Sequence, residues 1–194
     1  MLFRRATGDA SLAGWSSRGW AKSVEQGPGK QDRHGVYERI VATEPPGPPI
    51  ADGPHRRAAA AILGYNIFPP SVGRAVVARN PVEVGDTVGL RYRLALGVEM
   101  FFASRVIGRF DEQRGDIWHT GFTYRTLAGH PELGEETFSV EKNLTTGKVM
   151  IALRSWSRPG ILLTKLTAPF ARFAQKRGSN AALSHLEAIA TARR

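Results

Sequence analysis

Four side chains in one short run have the chemistry to exchange protons. His130, Glu132, Glu135 and Glu136 fall in GFTYRTLAGHPELGEETF, from Gly121 to Phe138. A carboxylate beside an imidazole orients the ring and raises its basicity, so His130 with Glu132 or Glu135 is a candidate acid–base pair. The same groups have a second use, because a His and a Glu in a sharp loop also satisfy backbone amides and hold the turn. One His and three Glu suit a hard-to-borderline divalent ion, but H-P-E-L-G-E-E is not a standard zinc arrangement and the nearest histidine before it is His119. No metal is assigned. The chain has no cysteine, which excludes disulfides, thiolate metal sites and cysteine nucleophiles. It has no G-x-S-x-G elbow, no P-loop and no G-x-G-x-x-G, so neither a serine triad nor a nucleotide cofactor is expected.

Glu135 and Glu136 point to opposite sides if their segment is a strand, so only one of them faces inward. A carboxylate buried there needs a cation, and Arg91, Arg105, Arg125 and Arg158 are the candidates. Tyr124 shares its face with Phe122 and Thr126, and Tyr92, Trp118 and Trp156 are expected to join them inside. Aromatic bodies with polar tips suit a pocket that grips an apolar ligand and fixes one polar end, and they suit a packed core equally well.

The elements that must hold this run are legible in the spacing. Val36 to Ala42 alternates as a short strand. TEPPGPPIADGP then excludes helix and central strand. His55 to Tyr65 reads as a short helix started by Asp52 and Pro54, with Ala58, Ala61, Ile62 and Tyr65 toward the core. From Arg74 the period becomes two: strands are expected over 74–79, 87–96, 101–110, 117–127, 135–142 and 149–157. Short turns join them, DEQRGD and NLTTGK among these, so the sheet should be antiparallel. After Arg158-Pro159-Gly160 the chain turns helical over about 161–192. Leu162, Leu166, Phe170 and Phe173 form one stripe; Leu183, Leu186 and Ile189 form another. Pro169 and Gly178-Ser179-Asn180 are expected interruptions. A sheet with one apolar face must cover it, and only the terminal helix is long enough. The fold class is therefore α+β: a helix-grip layout, with a curved antiparallel sheet wrapped around a long C-terminal helix. A cavity between the layers would be lined by Tyr92, Tyr124, Trp156, Phe170 and Phe173.

Charge divides the 194 residues unevenly. Residues 1–34 carry a net +3, residues 35–153 are neutral, and residues 154–194 carry +7. The first 34 residues read as a poorly ordered basic tail that docks by Trp15 and Trp20, ahead of a single domain over 35–194. MLFRRATGDASLAG lacks the apolar core of a secretory signal, and zero Cys fits a cytoplasmic setting. Arg172, Lys176 and Arg177 form a basic patch on the terminal helix. It is either a solvated face or a contact for an anionic membrane surface; nucleic acid is less expected, because no recognised module accompanies the patch.

The central run resembles the family called domain of unknown function 1990, or UPF0548. The matching residues are Tyr124, Thr126-Leu127, Gly129-His130-Pro131-Glu132, Gly134-Glu135-Glu136 and Phe138, with Ser157-Arg158-Pro159 as a second block. Softer matches are Arg56-Arg57-Ala58 to Phe68, Val84 to Val88, and Arg105-Val106. The resemblance covers about residues 36–178. Relatives commonly have Gly in place of Arg125 and Phe in place of Trp156, and a larger Arg beside the hairpin would alter the mouth of a pocket. Because Ser157-Arg158-Pro159 recurs with the Gly-Glu-Glu run in this family, the resemblance makes Arg158 the expected ion-pair partner of Glu135 or Glu136. It also implies a layout similar to the helix-grip superfamily of lipid-transfer and polyketide-cyclase-like proteins, which mostly bind apolar ligands under the terminal helix. Binding of a hydrophobic or amphipathic small molecule or lipid is the first functional expectation. An enzyme using His130 with Glu132 or Glu135 is the second, and a membrane-surface or nucleic-acid contact through the basic C-terminus the third.

Overall fold

A computed structural model describes residues 11–93, 99–159 and 168–192, with side chains in those ranges except at 22, 23, 159 and 168–175. The segments of period two become β1 (Arg33–Thr43), β2 (Gly73–Val77), β3 (Thr87–Arg93), β4 (Glu99–Arg114), β5 (Ile117–Thr126), β6 (Glu132–Asn143) and β7 (Lys148–Pro159). They form one antiparallel sheet in the order β1-β7-β6-β5-β4-β3-β2. Strand β4 continues past Phe110 because its ladder with β5 runs to Arg114 opposite Ile117, leaving only Gly115 and Asp116 to turn. Register shifts at Ile40/Ala42 and Val106/Gly108 bend the sheet. Leu94 and Leu96, expected on β3, lie outside the described residues.

Four helices complete the described chain: α1 (Leu12–Ser16), α2 (Lys22–Glu25), α3 (Pro54–Leu63) and α4 (Ala168–Thr191). Pro169, expected to kink the last helix, falls at the edge of the described residues of α4. The expected break at Gly178-Ser179-Asn180 does not occur; α4 runs straight through it. The cost of one mid-helix glycine, about 1 kcal/mol, is offset by burial of Ala182, Leu183, Leu186 and Ala190 in the core. These residues meet α3 and the inner sheet face, where Phe122, Phe138, Val140, Ile151 and Leu153 are fully buried.

Alternation divides the sheet into two faces. The inner face takes α3 and α4. On the outer face, Trp15 is buried against Phe101, Ala103 and Leu127, and Val24 packs with Leu133 and Trp156. The N-terminal segment thus lies on the sheet as two short helices, with Trp20 bridged to Leu127 and Arg18 over the Trp15 ring.

A buried ion pair joins the pieces of the inner layer. Lys142 on β6 is fully buried, and its Nζ lies 2.8 Å from Glu44 and donates to the Pro48 carbonyl at 3.0 Å. Glu44 accepts from the His55 amide at 2.8 Å, so it caps α3 in place of Gly53, which has no side chain to do so. Gly147 is required at the adjoining β6–β7 turn. Its φ is +72°, and a Cβ there would stand 1.8 Å from the Glu44 carbonyl oxygen. Burial pushes the Glu44 carboxyl up, but Lys142 and the His55 and Ile50 amides outweigh it and hold it below the usual range.

Lys142→Met strands the Glu44 charge without its partner, so denaturant melts should show a loss of about 3–5 kcal/mol. Because the Glu44 pKa is lowered on folding, its contribution is present above the unfolded-state pKa and lost as the pH falls through the folded-state value. In Glu44→Gln this acid-side slope should flatten.

Candidate functional site

The site grows from β5, β6 and the loop between them. His130 donates its amide to the Leu127 carbonyl at 3.0 Å, and Gly129 takes φ +90° to make the turn. The N-terminal segment clamps this loop from outside: the Ala128 amide donates to Gly19, and Arg18 donates to the Ala128 carbonyl. Gly134 allows β6 to approach β7, since a Cβ there would meet the Trp156 carbonyl oxygen at 1.9 Å.

The register then decides which groups face inward. Tyr124 lies opposite Glu136, and Glu136 opposite Ser155. These residues, with Thr126, His130, Glu132, Gly134 and Ser157, line a cleft of about 50 Å³. That is room for a small polar group or a few waters, well short of the several hundred Å³ that encloses a whole drug-sized ligand.

His130 is buried, with its ring edge against Phe102 at 4.7 Å between centroids. Its Nδ1 accepts from the Glu132 amide at 3.1 Å. The imidazole therefore holds the loop, and its proton is on Nε2, which is buried with no hydrogen-bond partner among the described residues. Desolvation pushes its pKa down to about 4, with the contact to Glu132 opposing weakly, so the ring is neutral at ordinary pH. No carboxylate raises its basicity, in contrast to the acid–base expectation.

Glu136 is the inward carboxylate. Its Oε2 accepts from the Tyr124 hydroxyl at 2.8 Å. Desolvation raises its pKa to about 7, the Tyr124 hydrogen bond opposes, and the Glu132 charge adds to the rise. Behind Tyr124 stands Tyr65, at 6.4 Å between centroids. Tyr65 holds φ +56° at the end of α3, where its amide bonds Ile62 and the Asn66 amide bonds Ala61, a helix stop that usually uses glycine. The strained backbone turns its ring against Phe122 and Tyr124. Glu132, also raised by burial, is moderated by Arg33 at 3.8 Å and by the Ser157 hydroxyl.

Three expectations are corrected. Glu135 points to the outer face, where Arg125 binds it at 2.6 Å and Trp156 Nε1 donates to it at 3.2 Å. It is therefore not grouped with His130 for proton transfer. The expected Arg158 bridge to Glu135 or Glu136 is absent: Arg158 pairs with Asp32 and donates to the Gly27 carbonyl. Register explains this, because Arg125 lies directly across from Glu135 while Arg158 lies across from Leu133. Trp156 borders the cleft, but its ring packs outward on Val24 and Leu133, under Arg158. Tyr92 is inward and one ring removed, stacked on Phe102 at 6.2 Å. Phe170 and Phe173 fall on α4 outside the residues whose side chains are described, as does Arg172. Lys176 and Arg177 are exposed. Sequence reasoning gave Glu136 only a structural role; the alternation that turns Tyr124 inward was the available signal for its cross-strand partner.

The raised Glu136 pKa gives stability a sign. In the folded state the carboxyl keeps its proton between pH 4.5 and about 7, where the unfolded chain loses it. The favourable contribution is full below the unfolded pKa and is lost as the pH rises through about 7, a change on the order of 2–3 kcal/mol. In Glu136→Gln that slope between pH 4.5 and about 7 should disappear, and a carboxyl ¹³C titration of the native chain should place Glu136 near neutrality.

Comparison with known proteins supports the fold and the lineage. A UPF0548 protein of Dictyostelium discoideum is 31% identical over 104 residues, a match spanning 50% of this chain and 48% of the relative, about half its length. Among solved structures, major latex-like protein 151 of Panax ginseng is similar at a TM-score of 0.51 and 11% identity, covering 83% of this chain and 99% of that one. A hypothetical protein of Helicobacter pylori reaches 0.56 at 15% identity, covering 90% and 96%. The KanY protein reaches 0.53 at 11%, covering 83% and 99%. At these identities the likeness is one of fold, the helix-grip α+β layout. The model of the family described as domain of unknown function (DUF1990) matches residues 21–185, and the chain belongs to that family.

Proposed function

We propose that the protein binds a small amphipathic molecule, with the cleft on β5, β6 and β7 taking its polar end. One observation carries this reading: a buried, neutral His130 whose Nε2–H has no partner, on a cleft that also presents the Tyr124 hydroxyl and the Glu136 carboxyl. An unmet buried donor costs about 1–3 kcal/mol, and a ligand acceptor would recover that cost on binding. The cleft has the size of a headgroup, so the apolar remainder is assigned to the first turns of α4, whose sequence carries Phe170 and Phe173. A second reading, acid–base catalysis on the same ligand, is favoured by one feature. Glu136 titrates near neutrality within hydrogen-bond reach of Tyr124, which makes Glu136 rather than Glu135 its proton carrier.

Native mass spectrometry of the purified full chain should show a bound small molecule, recovered by solvent extraction. Ser155→Leu, which fills the cleft from β7, should lose it while melting like the parent. A bare-chain mass together with no uptake of added amphiphiles would overturn the binding reading.

A further inference from the structure

The lining of the cleft is unusual in its charge. Three glutamates, Glu132, Glu135 and Glu136, border it, of which Glu135 is paired with Arg125, and among the described residues no lysine or arginine lines it. Arg33 lies beside Glu132 alone, at 3.8 Å, and Arg125 is committed to Glu135 on the other face. Among the described residues, the groups that meet Glu136 are the Tyr124 hydroxyl from β5, Tyr65 from the end of α3, Glu132 from β6 and the Ser155 side of β7. None of these is a cation. A carboxylate so placed is either protonated or waiting for a positive partner, and an anionic headgroup would add a third negative charge to the same space.

His130 supplies the independent sign that something binds here. His130 lines the cleft; its Nε2–H is buried with no partner among the described residues, while Nδ1 is spent on the Glu132 amide. A donor on the ligand meets the carboxyl side, and an oxygen beside that donor would meet His130; a simple amine supplies only the first of these.

Resting on the binding reading above, the geometry points to a protonated amine as the polar end of the ligand, held by Glu136 with Tyr124 alongside. Binding is then linked to protonation. The ammonium selects ionised Glu136, so it tightens as the pH rises through the Glu136 transition and releases a proton when it binds below it. The Tyr124 hydrogen bond favours the ionised form and sets where that transition falls.

Calorimetry with octylamine, octanol and octanoate, below their micelle concentrations and on the full chain, tests this. At pH 8 octylamine should bind at least tenfold tighter than either of the others. Its affinity should weaken at least fivefold by pH 5.5, where octylamine itself stays fully protonated. Glu136→Gln, which is isosteric, should erase the preference for the amine over octanol. Tyr124→Phe should keep the preference and move its pH midpoint upward. If octanol or octanoate binds as well as octylamine, the amine assignment is wrong while small-molecule binding stands. A preference for the amine that survives Glu136→Gln overturns the role given to Glu136. If none of the three probes binds, the amine assignment and the binding reading fall together.

Discussion

The contact between Lys142 and Glu44 holds together β6, the start of α3 and the proline-rich connector. Glu44 follows the end of β1; its carboxylate caps α3 and pairs with β6, while its backbone lies under the β6–β7 turn. A fully buried lysine is costly to desolvate, and here the cost is met by one carboxylate and one carbonyl at hydrogen-bond distance. Such a pair adds little to stability compared with well-packed apolar side chains. What it does is fix position: helix α3 can start only where Glu44 stands, so the proline-rich connector ends in one place.

Positions downstream follow from that anchor. The start of α3 sets its end, and its end carries Tyr65 in the left-handed region. The Tyr65 ring backs Tyr124, and Tyr124 holds Glu136. The polar cleft is thus positioned from behind by a rigid aromatic group rather than by the loop that lines its rim. From the front it is positioned by His130, whose Nδ1 ties down the start of β6. The outer clamp of Trp15, Arg18 and Trp20 holds the same loop from the other side of the sheet.

Chemically the site separates its carboxylates by environment. Glu135 has an arginine and an indole N–H on the outer face; one residue on, Glu136 has a phenol and, among the described residues, no cation. The contrast arises from strand alternation, which sends two adjacent glutamates to opposite faces and so to different partners. The two histidines most deeply buried, His55 and His130, are both pushed down to about 4 by desolvation, so the interior carries no imidazolium at neutral pH.

Much of the fold was legible in the sequence because it is written in periods. Alternation set the strands from β2 to β7, short polar turns made them antiparallel, and the long apolar stripe after Gly160 supplied the covering helix. The Gly129-His130-Pro131-Glu132 and Gly134-Glu135-Glu136 blocks were sufficient to mark the family. The sequence also established that only one of Glu135 and Glu136 faces inward. It could not say which, because that depends on cross-strand register, a relation between residues far apart in the chain. The same holds for Arg158: its expected glutamate lay on the neighbouring strand, but Arg125 was directly opposite it, and Asp32 arrived from the N-terminal segment. The burial of Lys142 had no local sign at all, since an ion pair spanning β1 and β6 exists only once both are in the sheet. Local pattern dictates which residues alternate and which turn; only the assembled sheet decides who stands opposite whom, and at this site that pairing sets every charge.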